Sequence, residues 1–366
     1  MTQDRGLASW LQLALTPGIG AATLRRLLGD FGLPENVIGA GRAQLERYLP
    51  GTVIDAMCST DVARAVEQTL AWAQAPAHEV VTLADATYPK LLLEIPDPPL
   101  LLYCNGRVDL LNRPSLAVVG SRNATAQGLR NAEQFARTFS EAGLTIVSGL
   151  ALGIDAAAHR GGLAGVGSTV AVLGTGIDRI YPAQNHALAE SIAAQGLLVS
   201  ELPLATPSRR QNFPRRNRLI SGLAHGCLVV EAALASGSLI TARAAAEQGR
   251  EVFAIPGSIH SPLSKGCHAL IKSGAKLVET AEDVLTELAP YRPALEAESR
   301  RARPSSAPAA GPESALLLHL GYDPVDIDAL CARSGLPAER IAAELLRLEL
   351  DGHVAALPGG LYQRRV

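Results

Sequence analysis

Five arginines, two asparagines and one phenylalanine share the stretch Ser208-Arg-Arg-Gln-Asn-Phe-Pro-Arg-Arg-Asn-Arg218. No Asp or Glu lies between Glu201 and Glu231. Like charges repel within a folded chain, so a one-sign run in a protein of formal net charge −2 points to a local polyanionic ligand. Arg209, Arg210, Arg215, Arg216 and Arg218 could each fork onto a phosphate, with Asn217 between them. Phe213 offers a flat face on which a base could stack. The plainer alternative is a solvated basic loop.

Two glycine-bearing turns could meet the same ligand. In Gly120-Ser-Arg-Asn-Ala-Thr125, Gly120 lets backbone approach a phosphate, Ser121 can donate, Arg122 adds a fork, and a following helix would present its positive end. The second is Ser148-Gly-Leu-Ala-Leu-Gly-Ile-Asp155, where Asp155 and His159 fall one helical turn apart and read as a local hydrogen-bonded pair. A third glycine run, Gly174-Thr-Gly176, lacks the spacing and the downstream ribose-binding acid of a dinucleotide site.

These turns need a frame. From residue 115 the chain alternates short continuous apolar runs with helical stretches. Strands are expected at Leu116–Val119, Thr145–Val147, Val170–Leu173, Leu197–Val199, Leu228–Val230 and Val252–Ile255. That pattern predicts an α/β fold, a doubly wound, Rossmann-like parallel sheet with ligands beyond the carboxyl ends of its strands. Residues 76–84 read as a connector. Leu100 to Tyr103, after a Pro-rich approach, reads as an edge strand.

Residues 1–80 read as a small all-helical domain with a helix-hairpin-helix-like turn at Leu15-Thr-Pro-Gly-Ile-Gly20. Residues 81–290 hold the sheet domain, and 291–312 are a Pro/Ala/Ser-rich linker. In 313–366, three helices, the second starting at Asp323-Pro324, precede a hairpin with a Gly-Gly turn. This is a winged-helix pattern. Its eight acids against five arginines favour a protein contact over duplex DNA.

The chain has 366 residues, 48% of them hydrophobic and 19% charged. No apolar run reaches the roughly 18 residues of a membrane span, and no signal peptide opens the chain, so a cytoplasmic setting is expected. Five scattered cysteines with no CxxC predict neither a disulfide framework nor a metal site, and no cofactor is expected.

Gly120-Ser-Arg, Ser148 to His159, Leu173-Gly-Thr-Gly, Phe213-Pro-Arg-Arg-Asn-Arg218, Ile220-Ser-Gly222, Val230-Glu-Ala232, Gly237-Ser-Leu-Ile-Thr-Ala242 and Pro256-Gly257 occur in the order that marks the DprA/Smf family. The resemblance spans residues 85–280, and the flanks resemble that family's optional helical (SAM or helix-hairpin-helix-like) and winged-helix domains. It implies a homodimeric, non-enzymatic protein of natural transformation and competence. Such a protein binds single-stranded DNA without sequence choice and loads RecA recombinase onto strands coated with single-strand binding protein. It also implies phosphate contacts from Ser121 and Arg122, and a basic residue, here Arg210, three before the stacking aromatic Phe213. The competing class is a nucleotide phosphoribohydrolase of the same superfold. There Ala244 stands where the catalytic Glu would be, leaving Glu201 and Glu231 as outside candidates for acid/base work.

Overall fold

The structure is a computed structural model that describes residues 2–291, 315–320, 324–350, 353–357 and 359–364. It divides into two compact units, within residues 1–299 and 300–366. The linker expected at 291–312 lies outside the described residues, save Tyr291.

The first unit opens with helices, of which Thr2–Leu15, Ala21–Phe31 and Thr60–Ala73 are the longest. Gly18, at φ +90°, reverses the chain between the first two, a conformation that a side chain would strain. Leu13, Leu24, Leu27, Val37, Leu45 and Ile54 close a core of their own. The helices are not insulated from the sheet, however. Leu11, Val62 and Val66 pack in one cluster with Val80, Leu101, Tyr103 and Leu198.

The main sheet has nine strands among the described residues: β1 (His78–Thr82), β2 (Leu101–Gly106), β3 (Ser115–Val119), β4 (Thr145–Ser148), β5 (Thr169–Val172), β6 (Leu197–Ser200), β7 (Gly226–Val229), β8 (Glu251–Ala254) and β9 (Lys276–Leu277). Their order is β1-β2-β6-β5-β4-β3-β7-β8-β9. The strands β3 to β9 run parallel, with Leu116 opposite both Ile146 and Gly226. Both faces are covered: Leu116 and Val118 point into one core, Ala117 and Val119 into the other. That double burial is why these strands read as unbroken apolar runs. The order reverses between β3 and β7, the switch point at which doubly wound sheets as a class take their ligands.

Two expectations need correction. Residues 76–84 are not a mere connector, because they contain β1, the true edge strand, paired antiparallel with β2. The strand expected at Leu100–Tyr103 therefore lies inside the sheet, between β1 and β6. Its prolines stop at Pro99, so every residue of β2 keeps its N–H for the ladder.

The second unit contains helices Ala315–Leu320, Ile327–Ser334 and Ala338–Leu350. Strand β10 (Val325–Asp326) pairs with β12 (Leu361–Arg364), which forms a hairpin with β11 (Val354–Leu357). Leu316, Leu320, Leu330, Ile341, Leu345 and Val354 fill its core. The middle helix starts at Ile327, later than the expected Asp323-Pro324. Asp326 caps it by accepting a hydrogen bond from Ala329 N at 2.7 Å.

Candidate nucleic-acid interface

The loops after β3, β4, β5 and β6 meet beyond the carboxyl ends of the parallel strands. A Cβ on Gly120 would stand 2.6 Å from Ile154 Cγ1 and 2.9 Å from Glu231 O, so only glycine fits there. Gly153, at φ +78°, is held as closely: its Cβ would lie 2.2 Å from Ser121 O. Ile154 N donates to Ser121 O at 3.1 Å and ties the first two loops together. Ser121 is buried, and its Oγ accepts from Asn123 N, whereas Arg122 is exposed.

The helix Ala126–Glu141 does not offer a vacant anion site at its start. Glu231 already fills that role, accepting from Thr125 N at 2.9 Å and from Thr125 Oγ1 at 2.6 Å. Thr125 Oγ1 in turn accepts from Gly128 N. Glu231 therefore braces the turn beneath Arg122.

The second glycine loop faces inward as well. Asp155 Oδ2 accepts from Gly149 N at 3.1 Å and from Ala151 N at 3.4 Å. His159 Nε2 accepts from Leu150 N at 3.2 Å. Asp155 and His159 are thus not bonded to each other, as their spacing suggested; each holds the loop. Asn185 Nδ2 donates to Leu150 O and Ala151 O, so Leu150 stays at φ +57° because its neighbours over-determine it. With three amides committed to side chains, this loop is a strut rather than a phosphate cradle.

Thr169 Oγ1 donates to Ile146 O, so at 2.7 Å it can only accept from His159 Nδ1. The imidazole is therefore neutral with its proton on Nδ1, and burial, with Arg216 and Arg160 adding to it, pushes its pKa down to about 3. The folded state thus resists a proton that the unfolded chain takes up near pH 6.5. This stability is complete above that value and lost as pH falls toward 3, roughly 2 kcal/mol of it by pH 5. Thermal melts should therefore show wild type losing more stability between neutral pH and about pH 5 than His159→Gln does.

The arginine run begins the helix Asn212–Gly222, with Pro214 in its first turn. Phe213 lies over Gly174, where a Cβ would come within 2.8 Å of its ring. The Arg122 guanidinium sits 5.7 Å from the centre of the same ring. Two loops predicted to share a ligand are thereby brought into contact. Arg209 and Arg210 are exposed and pair with no carboxylate among the described residues.

The other arginines are engaged elsewhere. Arg216 is only 5% exposed, and its Nη1 donates to Gly149 O at 2.6 Å and to Val172 O. Burial lowers its pKa to about 10, against the pull of nearby Asp155. It is a bolt under the strut loop, not a surface contact. Arg218 pairs with Glu201 and donates to Asp97 O at 2.5 Å. Arg215 has a side chain 56% exposed, but its Nε lies 3.3 Å from Glu201 Oε1. Asn217 is half-buried and reaches Gly237 O at 3.4 Å. Of the run expected to touch phosphate, the guanidinium groups of Arg216 and Arg218 are engaged within the fold, and that of Arg215 is shared with Glu201.

Tyr181, not singled out from the sequence, stands 5.6 Å from Phe213 between ring centres and is 48% exposed. The signal was present: an arginine and an aromatic follow the Gly174-Thr-Gly176 turn within five residues. Among the described residues, no group of three His, Cys, Asp or Glu side chains could hold a metal ion.

The chain is similar to known proteins along most of its length. Residues 79–289 match the family described as DNA recombination-mediator protein A, and residues 300–360 match the DprA winged helix domain. Protein Smf of Escherichia coli (strain K12) is 44% identical over 309 residues, 82% of each chain. DNA processing protein DprA of Streptococcus pneumoniae is 49% identical over 206 residues, 56% of this chain and 73% of that one. The X-ray structure of the Streptococcus pneumoniae protein aligns with a TM-score of 0.61 and 38% identity, covering 76% of this chain and 95% of that one. A DNA processing protein A structure from Helicobacter pylori, described for its single-stranded DNA binding mode, aligns at 0.53 and 31%, covering 58% and 96%.

Proposed function

The chain belongs to the DNA recombination-mediator protein A (DprA/Smf) family, and from that premise we propose that it binds single-stranded DNA at the mouth formed by Gly120, Ser121, Arg122, Arg209, Arg210 and Phe213. The observation that carries this reading is Phe213, half-exposed on a glycine floor with a guanidinium over its ring. Exposed arginines without carboxylate partners flank it. Phosphates and base faces are common to every sequence, so such a site holds strands without sequence choice. A duplex hides its base faces and forfeits the stacking.

Arg122, Arg209 and Arg210, with Arg215 once it leaves Glu201, could neutralise about four phosphates, so log affinity should fall against log salt with a slope of about −3 for a single strand. Titrating a labelled oligonucleotide at several salt concentrations checks this. A flat response would remove the phosphate clamp.

We read the protein as a binder rather than a hydrolase. Glu231 is committed to Thr125, and Glu201 to Arg215 and Arg218. Incubation with nucleoside monophosphates should release no free base. No helix among the described residues is long and apolar enough to cross a membrane. The same proposal includes a cytoplasmic role in transformation, with homodimerisation and loading of RecA onto strands coated with single-strand binding protein, on the strength of the family resemblance. Assigning the winged-helix unit to a protein contact rests instead on its eight acids against five arginines.

A further inference from the structure

We infer that Tyr181 and Arg179 form a second nucleotide position beside Phe213, so that the site holds two neighbouring bases rather than one; this rests on the single-strand reading above. The ring centres of Tyr181 and Phe213 are 5.6 Å apart and tilted by 44°. That is contact distance for an aromatic pair, so no base can slip between them. Each ring is then open to a base of its own, Phe213 once the Arg122 guanidinium swings from its ring onto a phosphate. A stacked strand advances about 3.4 Å per nucleotide and an extended one further, so this spacing suits consecutive bases.

The loop bearing these residues is held in place before any strand arrives. Gly176 N donates to Thr206 O at 3.0 Å, and Arg179 N to Gly176 O at 2.9 Å. Asp178 accepts from Ala205 N at 2.9 Å and 3.0 Å through its two oxygens. Ser200 Oγ donates to Thr175 O at 2.6 Å. Yet the side chains that could meet a ligand are left out of this knitting. Tyr181 is 48% exposed. Arg179 is exposed and pairs with no carboxylate among the described residues, since its neighbour Asp178 is turned to Ala205. A rigid loop that presents one aromatic and one unpaired guanidinium beside a stacking ring is suited to a base and its phosphate. The same Asp178 bond fixes Ala205 at φ +60°, where the segment leading to Arg209 and Arg210 sets out.

The test compares wild type, Tyr181→Ala, Tyr181→Phe, Arg179→Ala and Phe213→Ala on two strands of equal length. One is an ordinary oligonucleotide; the other is the same backbone with every base removed. Tyr181→Ala should weaken binding to the ordinary strand about 5- to 150-fold and leave the abasic strand unaffected. Tyr181→Phe should bind as wild type does. Arg179→Ala should weaken both strands and flatten the salt slope by about 0.7. If Tyr181→Ala binds the ordinary strand as wild type does while Phe213→Ala shows the base-dependent loss, the second position is refuted and the single-strand reading stands. If neither variant distinguishes the two strands, both fall.

Discussion

Arg216→Ala is expected to lower the free energy of unfolding by about 3–5 kcal/mol, the cost of removing one member of a buried charged network. Gly149 O and Val172 O would lose a charged donor, and Asp155 would lose the nearby cation that offsets its burial. The strut loop under Arg122 would lose its bolt, so strand binding should fall with stability although the Arg216 side chain is buried. Arg209→Ala and Arg210→Ala should do the opposite: exposed side chains without partners change stability by no more than about 0.5 kcal/mol, yet each should weaken binding. Urea unfolding run beside DNA titration on the three variants separates the two roles. An Arg216→Ala protein with a wild-type midpoint and weak binding would instead make Arg216 a direct contact.

The second large effect is at Phe213. Phe213→Ala should lower affinity for a single strand by roughly 1–3 kcal/mol, about 5- to 150-fold, and leave any weak duplex binding nearly unchanged. Arg122→Ala should cost affinity on both, because it removes a phosphate contact. The two losses should not add. Arg122 lies over the Phe213 ring, so a double-mutant cycle should return a coupling of about 0.5 kcal/mol or more. Strictly additive losses would mean that the ring and the guanidinium act on the strand independently.

The parallel sheet was legible because double burial writes itself as continuous apolar runs, from Leu116–Val119 to Val252–Ile255. The strand β1 was not, because His78–Thr82 is half-polar at an edge and shows no such run. At the site, composition marked the arginine stretch but could not rank its members. Helical spacing could have done so. Asn212, Arg216, Leu219 and Ile220 fall on one buried stripe, while Arg215 lies off it. Arg216 was therefore readable as a buried cation on an apolar face. Asp155 and His159 misled because a one-turn spacing says that two side chains share a face, not what that face meets. Here it meets a loop whose amides need acceptors.

The most direct measurement is competition between single-stranded and duplex oligonucleotides of one length for wild type and for an Arg122→Ala/Phe213→Ala double variant. The wild-type protein should prefer the single strand, and the double variant should lose most of that preference while keeping its melting temperature. Equal or stronger binding of duplex by wild type, or an unchanged preference in a folded double variant, would contradict a grip built on an exposed aromatic face and the guanidinium groups around it.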